Sequence, residues 1–480
     1  MTTVAPADGR TQLPPLLPVT RSRARVDHVT RFLSGMLLYG ALALVAWWWI
    51  GDGGIGDLAD GHQALVSLGR ISGLAASVLL LTQVLLMARI PVLEGAWGQD
   101  RLARIHRVVG FTSFNLMVAH IVLISWGYAA GDLLATPGLV WYLIRDYPGI
   151  LLATAGALAL VMVVLTSIRA ARRRLRYESW HLLHLYAYLG VGLALPHQLW
   201  TGQQFTGSAA RTAFWWTAWG ATAVAVVAFR LGVPAYRTWR HDLRVTSVVR
   251  EPSAADDEVW SVYLSGRDLH RMPVRAGQFL TFRFLNGAGW SRAHPYSLSA
   301  APDDRSLRAT VRVVGDGTRA LRHVTPGTRV VVEGPYGRLS SRPRTQRKVA
   351  FIGAGIGITP LRSLAEGLDY APGEAVLLHR CTSAPLFAAE LDLLAAERGL
   401  RVVTLPGRRR AHDSFMPRAH GADEAFNRVN DVTALLWLVP DLTERDVYLC
   451  GPDTWEKQVV SAALAAGLPS SQLHSESFRW

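Results

Sequence analysis

The stretches HRVVGFTSFNLMVAH (106–120) and HLYAYLGVGLALPH (184–197) decide the fold. Each begins and ends on histidine and is otherwise largely apolar. A polar side chain inside a membrane span is costly and is functional by default. His106 and His120 are 14 residues apart, a rise of about 21 Å and nearly four turns, so both project to one face of a helix. His184 and His197 are 13 apart, a rise of about 19–20 Å that leaves His197 about 140° out of register. Pro196 precedes His197, and its ring clashes with the carbonyl of Gly192. A kink that re-aims His197 is expected there. The four histidines then form two tiers, His106 with His184 and His120 with His197. Two stacked haems, each held by two imidazoles, suit that arrangement. The bland alternative is four buried histidines hydrogen-bonded between helices. His181 lies one turn before His184 without a counterpart in the other stretch, and reads as interfacial.

Outward from these stretches, apolar runs of spanning length fall at roughly 32–49, 64–90, 106–128, 148–168, 181–200 and 210–231, so six spans are expected. Arginines sort between the loops. Arg10, Arg21, Arg23, Arg25 and Arg31 precede the first span; Arg89, Arg101, Arg104 and Arg107 follow the second; Arg169, Arg172, Arg173, Arg174 and Arg176 follow the fourth. The alternate loops hold only Arg145 and Arg211. This positive-inside pattern predicts a multi-pass cell-membrane protein with both termini cytoplasmic. Trp47, Trp48, Trp49, Trp126, Trp141, Trp200, Trp215 and Trp216 gather at the opposite ends, the interfacial position that amphipathic rings favour. Arg70, in the outer half of span two, needs an anionic partner. A propionate of the outer haem is one candidate; the alternative is a side chain snorkelling to the outer surface.

Composition agrees. Half of the 480 residues are hydrophobic and only 18% are charged, below the quarter or so usual for a soluble enzyme. The net charge of +14 raises nucleic-acid binding, but much of the basic excess lies in the loops just named, so no nucleic-acid partner is expected. Two cysteines, Cys381 and Cys450, exclude a disulfide scaffold, a zinc ribbon and a four-cysteine iron–sulfur cluster.

After residue 236 charge rises, and short β-branched runs alternate with Gly/Pro turns, which predicts a small antiparallel barrel over 236–342. From 343 the order strand, Gly turn, helix, strand predicts a parallel α/β sheet. The parts are thus a tail (1–30), a six-helix membrane domain (31–235), a barrel and an α/β domain. Arg292-Ala-His294-Pro295-Tyr296-Ser297 supplies an aromatic and a hydroxyl suited to a flavin ring and its reactive nitrogen. Arg312, Gly315 and Thr318 combine a cation, close backbone approach and a hydroxyl, as a pyrophosphate requires. Gly334 and Gly337 frame a tight turn in EGPYG. Gly353, Gly355, Gly357, Thr359 and Pro360 lie between a strand and a helix, where backbone N–H groups suit a dinucleotide pyrophosphate. Cys450-Gly451-Pro452 ends a later strand at the same edge of the sheet, so the thiol either borders nicotinamide or is a small buried hydrophobe. Arg380 and Thr382 stand where an acid would bind an NAD ribose, and Arg408, Arg409 and Arg410 follow the next strand. This favours a 2′-phosphate, hence NADPH over NADH; a solvated basic loop is the alternative. Phe478 or Trp480 at the chain end covers the flavin face or simply packs.

These motifs together resemble the ferric reductase and NADPH oxidase superfamily, in particular bacterial members with a ferric-reductase-like membrane domain fused to a ferredoxin-reductase-type module. The resemblance spans about residues 32–480 and rests on HPYSLS, RVVGDGT, EGPYG, GAGIGITP, CGP and the histidine spacings, all in family order. Glu178, six residues before His184, is similar to the family's fifth span. The resemblance implies two b-type haems on His106, His120, His184 and His197, FAD, and NADPH or NADH as donor. It implies Ser297 near the flavin, Cys450 beside nicotinamide and Phe478 as flavin cover. Electrons would pass to an external acceptor, a ferric chelate or, alternatively, oxygen. Superoxide-producing members often carry a further histidine where this chain has Ile124, which weighs against a dedicated oxidase. A non-enzymatic membrane sensor or channel with a flavoprotein-like domain is the third class.

Overall fold

The computed structural model describes residues 19–480, apart from 176, 254–256, 288–289, 291, 383, 419–420 and 477–480. The side chains of 19–24, 177–178, 203, 316 and 421–423 are also outside the description.

The first half is helical. Its long helices are α1 (Val19–Gly51), α2 (Gly61–Leu86), α3 (Gln99–Tyr128), α4 (Ile150–Ser167), α5 (Tyr177–Thr201) and α6 (Ala209–His241). Five of the six are long and apolar enough to cross a membrane; α5 is not among them. Its three histidines, Pro196 and Gln198 dilute an otherwise apolar run, so among the described residues five helices, not the expected six, qualify as spans on hydropathy. α2 packs along α3, and α4 along α5. α2 is the central helix, the only candidate span among the described residues with more than half of its most apolar window buried. Its inward face is built from small residues, Ser67, Gly69, Ser72, Ala76 and Ser77, which let neighbouring backbones approach. Gly156 of α4 and Gly190 of α5 do the same for that pair: a Cβ on Gly156 would lie 2.6 Å from the Gly190 carbonyl oxygen. Gln198 of α5 donates to Ser77 (3.2 Å) and accepts from Trp219 of α6 (3.1 Å), tying three helices together. Apolar side chains such as Leu37, Val108, Phe111, Leu158 and Val224 point outward, as a lipid-facing surface requires.

α5 stays helical through Pro196 to Thr201, so whatever re-aims His197 acts within an unbroken helix. α6 runs past the expected end of the sixth span, through a π-helical stretch Val227–Gly232, to His241. The strands follow at once.

β1 (Arg244–Arg250), β2 (Val259–Ser265), β3 (Phe279–Phe284), β4 (His294–Ser297), β5 (Leu307–Arg312) and β6 (Val330–Tyr336) make the next unit. In place of one continuous barrel sheet they form two three-stranded antiparallel sheets, ordered β1-β2-β5 and β4-β3-β6. Single bridges, Arg244–Arg329 and Leu298–Ala309, join the sheets at both edges. β5 begins and ends two residues before the β-branched run Ala309–Val314 that the sequence offers as this strand. Inward residues such as Val262, Leu264, Leu280, Phe282 and Val332 fill the space between the sheets.

β7 (Lys348–Ala354), β8 (Ala375–Cys381), β9 (Arg401–Pro406), β10 (Arg445–Cys450) and β11 (Leu473–Ser475) form the expected parallel sheet, in the order β11-β10-β7-β8-β9. Two hydrophobic clusters cover its faces, one around Phe351 and Tyr448 with helix α7 (Ile358–Gly367), the other around Trp455 with helix α8 (Asp453–Ala465). Because the order doubles back at β7, a crevice opens at the carboxyl ends of β7, β8 and β10, where ligands bind in such sheets.

Candidate functional site

The structure brings the histidines together in the two expected tiers. The His106 Nδ1–H donates to the Gln83 carbonyl of α2 (3.1 Å), and the His120 Nδ1–H donates to the Gly69 carbonyl (2.8 Å). On α5, the His197 Nδ1 lies 2.7 Å from the Thr201 hydroxyl. That hydroxyl spends its own hydrogen on the His197 carbonyl (2.8 Å), so it accepts from Nδ1. The His184 Nδ1 lies 3.2 Å from Ser167 Oγ, which also accepts from the Trp180 indole. All four Nδ1 atoms are therefore engaged, and among the described residues no hydrogen bond reaches any of the four Nε2 atoms. Anchoring one nitrogen to a carbonyl or hydroxyl fixes the tautomer and leaves the other lone pair for a metal.

The His106 and His184 rings have centroids 6.1 Å apart with planes at 68°. An iron about 2 Å from each of two imidazole nitrogens places the ring centres roughly 6 Å apart, so this pair fits a shared iron. His197 lies within electrostatic range of His120 despite the phase problem of an ideal helix. Gly73 makes room for the outer tier: a Cβ there would lie 2.5 Å from the His120 Nδ1. These fits concern haem, which needs two ligands; among the described residues no group of three or more His, Cys, Asp or Glu is placed to hold a bare metal ion.

Arg70 is placed differently from the expectation. Its guanidinium pairs with Asp57 in the loop after α1. Both side chains line a cleft of about 450 Å³ with His62, Gln63 and Tyr128. The Arg70 Nε is buried without a hydrogen bond among the described residues. Ile124 packs against Gly69, next to the outer tier.

At the other end, the loop after α2 meets the two-sheet unit. Arg89, paired with Glu94 at 2.6 Å, lies over the Tyr336 ring with 4.1 Å to its centroid. Arg342 pairs with Asp27 of α1. The EGPYG corner therefore abuts the helical half near Gln83, on the side of the His106 tier. Gly334 and Gly337 both have positive φ, 113° and 96°, which a residue with a Cβ adopts only under strain.

Tyr296 is buried in β4, parallel to the His294 ring (centroids 5.7 Å, planes 9°). Its hydroxyl has no hydrogen-bond partner among the described residues, and burial pushes the phenol pKa upward. An orphaned buried hydroxyl beside half-buried Pro295 and Ser297 is the observation that fits a flavin here. The Thr318 hydroxyl accepts N–H bonds from Val314 (2.9 Å) and Gly315 (3.1 Å), which curls the loop. A Cβ on Gly317 would lie 2.9 Å from the His294 ring, so the loop closes on β4. The Leu298–Ala309 bridge carries Arg312 beside the start of β4. Arg312 and Arg292 are both exposed there, Arg312 with Asp257 at 3.5 Å.

In the parallel sheet, Cys450, Gly353 and His379 stand in one row across β10, β7 and β8. A Cβ on Gly357 would lie 2.3 Å from the Cys450 carbonyl oxygen, so the glycine loop closes directly on Cys450-Gly451-Pro452. Gly355 has φ 55°. Thr359 donates to the Ile356 carbonyl (2.5 Å) at the start of α7, and Pro360 follows it, buried. Burial, with Glu456 and Glu476 nearby, pushes the Cys450 thiol well above its ordinary pKa. A neutral buried thiol is a packing surface, not a nucleophile. Arg380 donates to the Gly407 carbonyl (3.3 Å), and its Nε is buried without a partner. Arg409 bonds Thr454 (3.0 Å) and Arg408 is exposed. Arg410 is occupied by Asp431 and so leaves the expected phosphate set.

Three features escaped sequence reading. The buried Glu476 carboxylate would meet a Cβ on Gly337 at 2.6 Å and accepts from the Arg338 and Leu339 backbone; burial pushes its pKa up to about 8. His379 is buried, and burial holds it down to about 4, neutral at pH 7. The α2 carbonyls of Gln83 and Gly69 carry no residue-type signal at all. An acid two residues before the expected aromatic cover was the one legible hint. Phe478 and Trp480, and the side chain of Glu178, lie outside the described residues.

Residues 72–195 match the family model of the ferric reductase like transmembrane component. Over those residues the membrane half is similar to that family's transmembrane component. The match includes His106, His120 and His184, while Arg70 and His197 fall just beyond its ends. The chain is 30% identical over 251 residues to the ferredoxin reductase component of 3-ketosteroid-9-alpha-monooxygenase from Mycobacterium tuberculosis (strain CDC 1551 / Oshkosh), covering 50% of this chain and 65% of that one. It is 27% identical over 217 residues to a flavohemoprotein of Xylella fastidiosa (strain 9a5c), covering 43% of this chain and 51% of that one. Among solved structures, the flavohem-like FAD/NAD-binding domain of nitric oxide dioxygenase from Vibrio cholerae matches with a TM-score of 0.38 and 22% identity, covering 50% of this chain and 99% of that one. The chain thus joins a segment similar to the ferric reductase like transmembrane component to a module similar to ferredoxin-reductase components and flavohemoproteins. It spans 51–65% of the length of these curated relatives.

Proposed function

We propose that this chain moves electrons across a cell membrane, from cytoplasmic NAD(P)H to an acceptor outside. The observation that carries the reading is the set of four histidines, each with Nδ1 anchored and with no hydrogen bond at Nε2 among the described residues, arranged in two tiers between membrane helices.

The order of the sites supports that direction. The EGPYG corner abuts the loop after α2, next to the Gln83–His106 tier. The Gly69–His120 tier stands 14 residues along α3, about 21 Å of rise. Beyond it lies the Asp57–Arg70 cleft. Electrons cannot usefully cross ~30 Å of hydrocarbon in one step, and two tiers divide it.

His106 with His184 and His120 with His197 would hold two b-type haems, and the Tyr296, Ser297 and Thr318 surface would hold FAD. Bound there, these groups supply the conversion of a two-electron hydride into single electrons and their relay. The residues do the rest. Gly353, Gly355 and Gly357 let a dinucleotide approach the start of α7. The Cys450 thiol stays protonated and shapes the nicotinamide end of the crevice. Arg380, Arg408 and Arg409 offer cations to a 2′-phosphate, which favours NADPH over NADH. Arg89 and Arg342 hold the module against the membrane half and exclude water from the junction.

The external acceptor is a ferric chelate. A polar cleft of about 450 Å³ is of the size that takes a small molecule, whereas dioxygen needs no such lining, and Ile124 occupies the position of the further histidine. Purified protein should carry two haems per FAD, and NADPH should reduce both. An external ferric chelate should then be reduced at the same rate with or without superoxide dismutase. Complete inhibition by the dismutase would replace this acceptor with oxygen; absence of haem would leave the sensor class standing.

A further inference from the structure

α6 passes from the membrane half into the two-sheet unit as one helical run, ending at His241 and reaching β1 at Arg244. At this joint a cleft of about 510 Å³ is lined by Tyr236, Arg237, Arg240, Arg271 and Pro273. Its cations are poorly neutralised. Arg237 spends one N–H on the Gly334 carbonyl, a neutral acceptor. Arg240 is paired with Asp268 at 3.0 Å. Arg271 is exposed, and its side chain makes no hydrogen bond or ion pair among the described residues. Three guanidinium groups against one carboxylate leave two positive charges.

The surroundings say which anion belongs there. Val224, Val227 and Leu231 form an exposed apolar stripe running along α6 toward the cleft. Exposed Tyr236 and Trp239 follow it, at the depth where aromatic rings meet headgroups. Basic pockets at the cytoplasmic ends of membrane helices suit lipid phosphates. We propose that this cleft binds the phosphate of an anionic phospholipid, whose tails lie along the Val224–Leu231 stripe. The stripe separates a lipid from a free phosphate, and the uncompensated charge separates an anionic lipid from a zwitterionic one. The site is also a joint. The Thr238 hydroxyl accepts from the Val332 N–H (3.1 Å), and Arg237 reaches Gly334, so a headgroup held here braces α6 against β6. The proposal rests on the placement of α6 in a membrane and not on the electron-transfer reading.

The test uses the full chain in phosphatidylcholine nanodiscs containing a minor fraction of phosphatidylglycerol. After re-extraction in detergent, retained phosphatidylglycerol per chain is counted by mass spectrometry. Arg271→Gln should lower retention by about fivefold, the effect of one surface arginine, while Arg271→Lys and the remote Arg173→Gln retain it. FAD content and melting temperature of Arg271→Gln should match the native protein, because that side chain holds no partner among the described residues. Inorganic phosphate should not displace the lipid. Unchanged retention in Arg271→Gln, an equal loss in Arg173→Gln, or displacement by phosphate alone would each overturn the proposal.

Discussion

Gly73 is the position at which one methyl group tests the outer tier. A Cβ there would lie 2.5 Å from the His120 Nδ1 and 2.9 Å from its Cε1 and Cγ. Ordinary contact needs ~3.5 Å, so the imidazole must retreat by about 1 Å. Retreat is resisted, because Nδ1 is held 2.8 Å from the Gly69 carbonyl, one turn earlier on the same helix. Overpacking of a filled site costs about 1–3 kcal/mol, and the strained hydrogen bond adds about 1 kcal/mol. A misplacement of that size is ruinous for a ligand whose geometry must hold within about 0.5 Å. We therefore expect Gly73→Ala to fold but to carry one haem per FAD instead of two, the inner one, as read by pyridine haemochrome assay and reduced-minus-oxidised spectra. NADPH should still reduce the remaining haem, while external chelate reduction falls at least tenfold. The control is Gly220→Ala, where a Cβ meets nothing within 4 Å; it should keep both haems and gain slightly in stability. Two haems with native spectra in Gly73→Ala would refute the placement of His120 as a ligand.

Further outcomes follow from the module. Arg380→Ala should raise KM for NADPH about 10- to 100-fold, the worth of a charge-assisted contact, and leave NADH unchanged; an equal effect on both would remove the 2′-phosphate assignment. Iodoacetamide at pH 7 should leave activity intact, since the Cys450 thiol is fully buried and protonated; rapid inactivation blocked by Cys450→Ala would show an accessible thiolate. For Glu476 the folded pKa, about 8, lies above the unfolded value of 4.5. Its stabilising contribution is therefore complete below about pH 4.5 and is lost as pH rises toward about 8. Melting temperature should fall across that window in the native chain, and Glu476→Gln should flatten the fall; identical profiles would contradict the buried placement.

The sequence carried the tiers because a helical period converts spacing into a face. It carried the nucleotide loops because glycine and proline mark backbone geometry. What it hid depended on atoms that residue type does not encode. The Gln83 and Gly69 carbonyls anchor two histidines, yet any residue supplies a carbonyl. Gly73 reads as an ordinary small residue of a span until His120 is set against it. The partner of Arg70, Asp57, comes from a loop whose path no local pattern fixes. His197 looks misphased on an ideal helix, yet it reaches the vicinity of His120 within an unbroken α5. The antiparallel unit read as one barrel, because alternation reports strands and not where a ladder narrows to a single bridge.

The most direct measurement is vectorial. The full chain is placed in liposomes with its nucleotide module outward and a ferric chelate trapped inside. NADPH, which does not cross the bilayer, is added outside. The account predicts reduction of the trapped chelate by the native chain, and loss of that reduction in His120→Ala while the inner haem still turns reduced. Reduction that persists in His120→Ala, or none in a native chain carrying its full complement of haem and FAD, would contradict it.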